Sequence, residues 1–244
     1  MMDKKHLLEF LLIHADTGNI IGHRLGEWCG HGPVLEQDIA ITNISLDLLG
    51  QSRSFYQYAA SLIGGEATED SLAYLRKERE FKNLLLVEQA NGDWGQTILR
   101  QYLYSQFQYP LFEQLQNSKD EQIAAIAAKS IKETAYHVRW SSEWVIRLGD
   151  GTEESRNRMI NAVDELWRYT GEMFIPAVYE EEMNIDFSKI KKEWENKVSI
   201  IFKEASLTPP SGGGGAAFMQ SGGKEGKHTE QLGFILTELQ YMQR

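Results

Sequence analysis

The stretch IKETAYHVRW, residues 131–140, decides how the chain is interpreted, because it places Glu133 and His137 inside a long helical pattern. A carboxylate and an imidazole on one helix are the ligand types of many metal sites. However, the residue three before His137 on the same stripe is Thr134, and Glu133 is rotated from that position by about 100°. The stretch therefore suggests a metal site but supplies only part of one.

Helical periodicity extends outward from this stretch over most of the chain. Gly64 and Gly65 are expected to end the second helix, and Asp93 is a good N-cap for the third. No alternating pattern typical of a strand reaches a useful length. The predicted helices span residues 3–28, 35–63, 94–117, 119–148, 154–181, 189–205 and 225–243, with a shorter helix inside a crossover at 66–93.

Two long antiparallel helix pairs joined by a crossover are typical of a ferritin-like four-helix bundle. The predicted fold is therefore all-α and ferritin-like, with additional C-terminal helices. With 42% hydrophobic residues in 244, the chain is expected to form a single domain over residues 1–244. The glycine-rich segment TPPSGGGGAAFMQSGG, residues 208–223, is predicted to be a mobile loop within it.

The formal charge of −10 disfavours nucleic acid and anionic membranes as partners, because both require a concentrated positive surface. The apolar run LLEFLLI near the start contains Glu9 and is followed by Asp16, which is not the pattern of a signal peptide or a membrane span. We therefore expect a cytoplasmic protein. The single cysteine, Cys29, excludes a disulfide within the chain.

Ferritin-like di-iron proteins hold their metal with a Glu from each of two helices and a Glu-x-x-His motif from each of the other two. The third predicted helix has no Asp or Glu between Asp93 and Glu113, so one required carboxylate is absent. The second helix has Leu48 and Gln51 at the three-residue spacing. This ligand count disfavours a di-iron centre and favours a hydrogen-bonded interior role for His137.

A weaker motif, GGKEGKH at residues 222–228, lies at the start of the final predicted helix. It lacks the first Gly and the final Ser or Thr of a phosphate-binding loop and does not follow a strand. Lys224, Lys227 and His228 are nevertheless candidates for contact with an anion, such as a CoA phosphate, or with an acidic partner surface.

Four segments carry a specific resemblance: HRLGEWCGHGPVLEQDIAITNISLDLLGQSRSFYQYAA (23–60), LLLVEQANGDWGQTILRQYLY (84–104), IKETAYHVRW and GGKEGKHTEQLGFILTELQYMQR (222–244). Together with the rest of the chain they resemble the PaaC family of phenylacetate-degradation proteins. The resemblance implies a structural subunit of a multicomponent phenylacetyl-CoA epoxidase. It also implies that a related ferritin-like subunit carries the di-iron centre and that a separate reductase delivers electrons from NADPH.

In the iron-bearing relative, the resemblance places the two Glu-x-x-His motifs at the positions of Leu48 with Gln51 and of Thr134 with His137. Three of those four ligand types differ in this chain. The resemblance therefore implies no catalytic and no metal-binding residue here. It implies partnership with the catalytic subunit, and we further expect a homo-oligomer when the chain is alone.

Two hypotheses follow, from different functional classes. In the first, the chain is a non-catalytic scaffold in which Asp47, Glu133 and His137 form a buried polar network. In the second, it is itself a di-iron oxygenase that uses the same three residues as an unusual ligand set. The first hypothesis also predicts anchors for a partner among an abundant set of aromatic residues: Tyr102, Phe107, Tyr109, Phe112, Trp167, Tyr169, Phe174, Phe234 and Tyr241.

Overall fold

A computed structural model of the chain describes residues 3–210 and 219–241. Strands do not occur in these ranges, and the predicted all-α class is confirmed. Residues 211–218, within the predicted mobile loop, lie outside the described residues. The α-helices of the described ranges are α1 (Lys4–Gly26), α2 (Leu35–Ile63), α3 (Glu69–Tyr74), α4 (Leu85–Glu88), α5 (Trp94–Leu115), α6 (Glu121–Gly149), α7 (Glu153–Leu166), α8 (Val178–Glu181), α9 (Phe187–Glu204) and α10 (Glu230–Gln240).

The described residues group into two compact units. The first unit takes its residues from Met1–Ala90, Pro176–Asn184 and Ser221–Arg244, and the second from Asn91–Ile175 and Ile185–Gln220. Each unit contains one of the two long helix pairs expected of the ferritin-like class. That residues 1–244 form a single domain stays a prediction.

In the first unit, α1 and α2 are antiparallel and pack closely along their length. Ser45 Oγ donates to the carbonyl of Gly22 at 2.6 Å, and two turns further along α2 Ser52 Oγ donates to the carbonyl of Ala15 at 2.7 Å. A Cβ added at Gly18 would lie 3.2 Å from a backbone carbonyl oxygen of α2. Small residues on α1 therefore permit the close approach, and serine hydroxyls of α2 hold it.

In the second unit, α5 and α6 form the other antiparallel pair. Trp94 at the start of α5 packs edge-on against Trp144 near the end of α6, with ring centroids 5.9 Å apart. The predicted N-cap is confirmed, since the Asp93 side chain accepts from the backbone N–H of Gln96 at 2.9 Å. Asp120 caps α6 in the same way.

The helix predicted over residues 154–181 is wrong beyond Leu166, where α7 ends. Two 3₁₀ turns follow, Trp167–Tyr169 and Gly171–Phe174, before the short helix α8. Pro176 accounts for the extended backbone that separates these turns from α8, because proline disfavours helical geometry in the preceding residue; Ile175 has φ −94° and ψ 109°. Helical periodicity alone did not reveal this interruption.

The aromatic residues predicted as partner anchors are used in two different ways. Tyr102, Phe107 and Phe112 are buried in the second unit, so their prediction as surface anchors is wrong. Phe174 and Trp194 pack there with centroids 5.2 Å apart. On α10, Phe234 is exposed, as is Tyr241 just beyond its end; their contact with a partner stays a prediction.

A buried ion pair connects two segments of the first unit that are distant in sequence. Lys224 Nζ lies 2.8 Å from Glu180 Oε2, and both side chains are 3% exposed. The same carboxylate oxygen accepts from the N–H of Ala177 at 2.8 Å, and Tyr179 donates to the Lys224 carbonyl at 3.0 Å. Gly222 and Gly223, assigned by sequence to the mobile loop, are buried beside this pair.

None of the helices in the described ranges is long and apolar enough to cross a membrane.

Glu180→Leu should lower the free energy of unfolding by about 3–5 kcal/mol, because it leaves the Lys224 ammonium buried without its carboxylate. The double variant Glu180→Leu/Lys224→Met should recover most of that loss, since two apolar side chains of similar volume remove both charges. Urea unfolding of the two variants and the wild type measures the effect. Equal stability of all three proteins would contradict the ion pair's structural role.

Candidate functional site

The interior of the second unit holds a layer of neutral polar side chains between α5 and α6. On α5, Gln101 Nε2 donates to Ser105 Oγ at 2.9 Å, and Ser105 Oγ donates to the Gln101 carbonyl at 2.8 Å. Gln108 Nε2 donates to the Tyr104 hydroxyl at 3.0 Å. All four side chains are buried, so the middle of α5 presents amides and hydroxyls where a metal site would need a carboxylate.

On α6, Thr134 and His137 both face the interior of the second unit and are fully buried. Thr134 Oγ1 lies 3.0 Å from the Ser130 carbonyl and 3.4 Å from Gln108 Oε1 on α5. One turn further on, Ser141 Oγ donates to the His137 carbonyl at 2.7 Å. The register derived from the sequence is therefore correct: Thr134, and not Glu133, is the interior residue three before His137.

In the first unit, α2 carries the other pair predicted at former ligand positions. Leu48 is fully buried and Gln51 almost so, on the face of α2 that packs inside this unit. Asp47 on α2 is half-buried, whereas Glu133 on α6 lies one residue away from the interior stripe. His137 is thus fully interior, and the two carboxylates expected to join it are each accessible to solvent to some extent; the network itself stays a prediction.

One of the carboxylates buried in the first unit is Asp16, at the middle of α1. Its Oδ1 accepts from the Tyr56 hydroxyl at 2.5 Å and from Arg76, while its Oδ2 accepts from Arg76 Nη1 at 3.1 Å and from the backbone N–H of Lys82 at 2.7 Å. Each oxygen therefore accepts two hydrogen bonds, and these bonds use the lone pairs that a metal ligand would offer. Asp16 is an internal counterion and not a metal ligand.

This cluster also shifts the titration of its members. Burial raises the pKa of Tyr56 well above its ordinary value, and the adjacent Asp16 charge raises it further. Burial opposes the charged form of Arg76, but Asp16 outweighs burial and raises the guanidinium pKa. Tyr56 is therefore a neutral hydrogen-bond donor at physiological pH, and Arg76 is the cation that balances Asp16.

The donor set does not fit a di-iron centre. Leu48 has no ligand atom, Gln51 and Thr134 are neutral, and α5 offers no interior carboxylate. Across residues 3–210 and 219–241, no three or more His, Cys, Asp or Glu side chains group in a way that could hold a metal ion. Hard metal ions that change oxidation state require anionic oxygen ligands, which these interior positions lack.

Of the three residues predicted to contact an anion or a partner, two form ion pairs with buried carboxylates of the chain itself. Lys224 is paired with Glu180, and His228 Nδ1 lies 3.1 Å from Glu88 Oε2 with both side chains inaccessible to solvent. Lys227 is at least partly accessible. The predicted contact with an anion or partner is therefore wrong for Lys224 and His228, because each contacts a buried carboxylate of the chain itself. For Lys227, this contact stays a prediction.

His228 is held between two acceptors. Its Nε2 lies 3.0 Å from the Phe81 carbonyl, opposite the Glu88 contact at Nδ1, so both ring nitrogens need a proton to bond. Burial lowers the pKa of His228, but the hydrogen bond and charge of Glu88 outweigh burial, and the net effect raises the pKa. Glu88 also accepts from Asn83 and from the N–H of Thr229, which fixes the start of α10.

Two comparisons with known proteins give matches over nearly the whole chain. The profile of the family described as "Phenylacetic acid catabolic protein" matches residues 1–244. The chain is also 46% identical over 243 residues to a subunit of the 1,2-phenylacetyl-CoA epoxidase of Escherichia coli (strain K12), covering 98% of this chain and 96% of that protein. The chain belongs to the phenylacetic acid catabolic protein family. The family resemblance found in the sequence is thereby confirmed.

Sequence reasoning missed the charged clusters of this phenylacetic acid catabolic protein. Asp16 sits in the apolar stripe of α1, and a charged residue at a buried register is the signal that could have identified it. Its partner Arg76 lies 60 residues away in the crossover, where no periodicity indicates the contact. For Glu88 with His228, and for Glu180 with Lys224, the sequence contains no comparable signal.

His137→Ala should lower the free energy of unfolding by about 2–4 kcal/mol, because it removes a fully buried side chain and leaves a cavity. Tyr136→Ala is the matched control, since Tyr136 is the adjacent α6 residue and is 37% exposed. Thermal unfolding of both variants measures the difference. An unchanged melting temperature for His137→Ala would exclude a structural role for the interior histidine.

The Glu88–His228 pair should make stability depend on pH. Because the folded pKa of His228 is raised, its stabilising contribution is complete below the ordinary histidine value near 6.5 and is lost as pH rises through the folded value. The wild type should therefore exceed His228→Gln in unfolding free energy most strongly at about pH 6, and the difference should shrink toward about pH 9. A difference that stays constant across this range would show that His228 is not charged in the folded protein.

Proposed function

We propose that this chain is the non-catalytic structural subunit of a multicomponent phenylacetyl-CoA ring 1,2-epoxidase in aerobic phenylacetate degradation. It pairs with a ferritin-like subunit that carries a di-iron centre and supports that subunit's activity. In this proposal, NADPH supplies electrons through a separate reductase, and the complex is cytoplasmic. The chain itself binds no iron, and it forms a homo-oligomer when its partner is absent.

One observation carries the proposal: a chain closely similar to an epoxidase subunit has neutral or apolar residues at the interior positions that would hold iron. By the family resemblance, Leu48 and Thr134 stand where the iron-bearing relative has carboxylates, and the interior of α5 is lined by Gln101 and Gln108. Because these side chains are neutral, this interior carries no charge that a metal ion would have to balance. Its contribution to an oxygenase would then come through its surface.

The alternative, that the chain is itself a di-iron oxygenase, would require Asp47, Glu133 and His137 as ligands. Neither Asp47 nor Glu133 is fully buried, and the described residues form no group of metal-binding side chains. No contact among the described residues favours this alternative, and measurement of bound iron distinguishes it from the structural role.

The decisive experiment purifies the chain alone, the iron-bearing subunit alone and the two together after co-expression. We expect the isolated chain to retain less than stoichiometric iron after anaerobic loading with Fe²⁺. We expect the two chains to co-elute in size-exclusion chromatography. With the reductase and NADPH present, turnover of phenylacetyl-CoA should require the iron-bearing subunit and should increase on addition of this chain.

Two results would contradict the proposal separately. About two irons bound per isolated chain, with an oxo-bridged absorption band, would support the di-iron alternative. Separate elution of the two chains, together with full activity of the iron-bearing subunit alone, would contradict the proposed structural role.

A further inference from the structure

The outward face of α2 is unusually apolar. Leu35, Ile39 and Leu46 are 71%, 52% and 60% exposed. With Gly50 they lie within about 60° of one another around the helix, because successive residues rotate by about 100°. The α2 outward face, defined by these four residues, lies opposite the buried side of α2 that includes Ile44 and Leu48, so nothing in the described chain covers this apolar stripe.

Gly50 on this face has no packing role within the described chain. A Cβ added there would meet no atom within 4 Å, whereas a Cβ at Gly22 on α1 would approach Leu49 to 2.9 Å. Glycine in the middle of a helix lowers helix stability relative to alanine, so a glycine with open space beside it is unfavourable for the isolated chain. Close approach by the backbone of another chain would account for a glycine at this position.

The charges beside the α2 outward face indicate the partner's chemistry. No Lys or Arg occurs from Leu35 to Ser52, whereas Glu36, Asp38 and Asp47 flank the stripe on its two sides. The next cation, Arg53, is paired with Glu69 at 3.2 Å. A second copy docked through the same α2 face would bring acidic flanks against acidic flanks, so complementarity favours a different occupant with basic residues beside its apolar stripe.

We propose that the α2 outward face is the docking surface for a long amphipathic helix of the iron-bearing ferritin-like subunit, whose apolar stripe is flanked by Lys or Arg and whose backbone crosses close to Gly50. This inference rests on the proposed function and specifies where the two chains meet. The exposed apolar stripe spans more than two helical turns, which suits a helix better than a loop as its occupant.

The test measures the affinity of the purified iron-bearing subunit for this chain by sedimentation velocity and biolayer interferometry. The double variant Ile39→Lys/Leu46→Lys should weaken binding by about 30-fold or more, because it buries charge in the contact and repels basic flanks. The matched control is Ile160→Lys/Ile200→Lys, which changes two other exposed isoleucines, on α7 and α9, and should leave affinity unchanged.

Gly50→Ala provides a second variant that does not depend on disruptive substitution. It should raise the melting temperature of the isolated chain, because alanine favours the helix, while it weakens binding to the iron-bearing subunit. Opposite changes in stability and affinity would support the close backbone approach. A variant that is stabilised and binds as tightly as the wild type would contradict it.

The outcomes separate this inference from the proposed function. Wild-type binding that survives both the lysine and the alanine substitutions would overturn the α2 docking surface and leave the structural-subunit proposal standing. No binding by the wild type would overturn both. If the lysine variant dissociated a homo-oligomer of this chain without affecting heteromer formation, a second copy would be the occupant, and the inference would be wrong.

Discussion

The carboxylate of Asp16 constrains much of the first unit, because a buried charge is stable only when donors surround it. Those donors come from three parts of the chain: Tyr56 on α2, Arg76 after α3 and the backbone of Lys82. Moving any of these segments would leave an ion in a medium that solvates it poorly. The cluster therefore fixes the crossover against the α1–α2 pair, which apolar packing alone would allow to slide.

The same constraint explains why the first unit contains segments from three separate parts of the sequence. Glu88 receives His228 and the N–H of Thr229, while Glu180 receives Lys224, so two buried carboxylates position the final part of the chain. In the second unit, Gln101, Ser105 and Thr134 are neutral and form hydrogen bonds within α5 or α6, while Gln101 Oε1 is buried without a hydrogen-bond partner. One unit is thus organised by ion pairs between distant segments and the other by local hydrogen bonds.

This difference determines what the sequence could predict. The four long helices follow from periodicity and capping residues, and the inward register of Leu48, Thr134 and His137 follows from the same stripes. The ion pairs do not, because a periodic pattern identifies a buried position without identifying a distant partner. Pro176 could have ended the predicted helix over 154–181 before Ile175, since the residue before proline avoids helical geometry, but it gives no signal for the end of α7 at Leu166.

Helix α2 bears on both functional arguments, because it has apolar residues on a buried inward face and on an exposed outward face. On the inward face, Leu48 is fully buried, and an apolar side chain there avoids the cost of burying a charge. On the outward face, Leu35, Ile39 and Leu46 expose apolar area that would be better buried. Nothing in the described chain covers the outward face, so the association proposed for it would bury apolar area there, whereas the inward face is already buried within the chain.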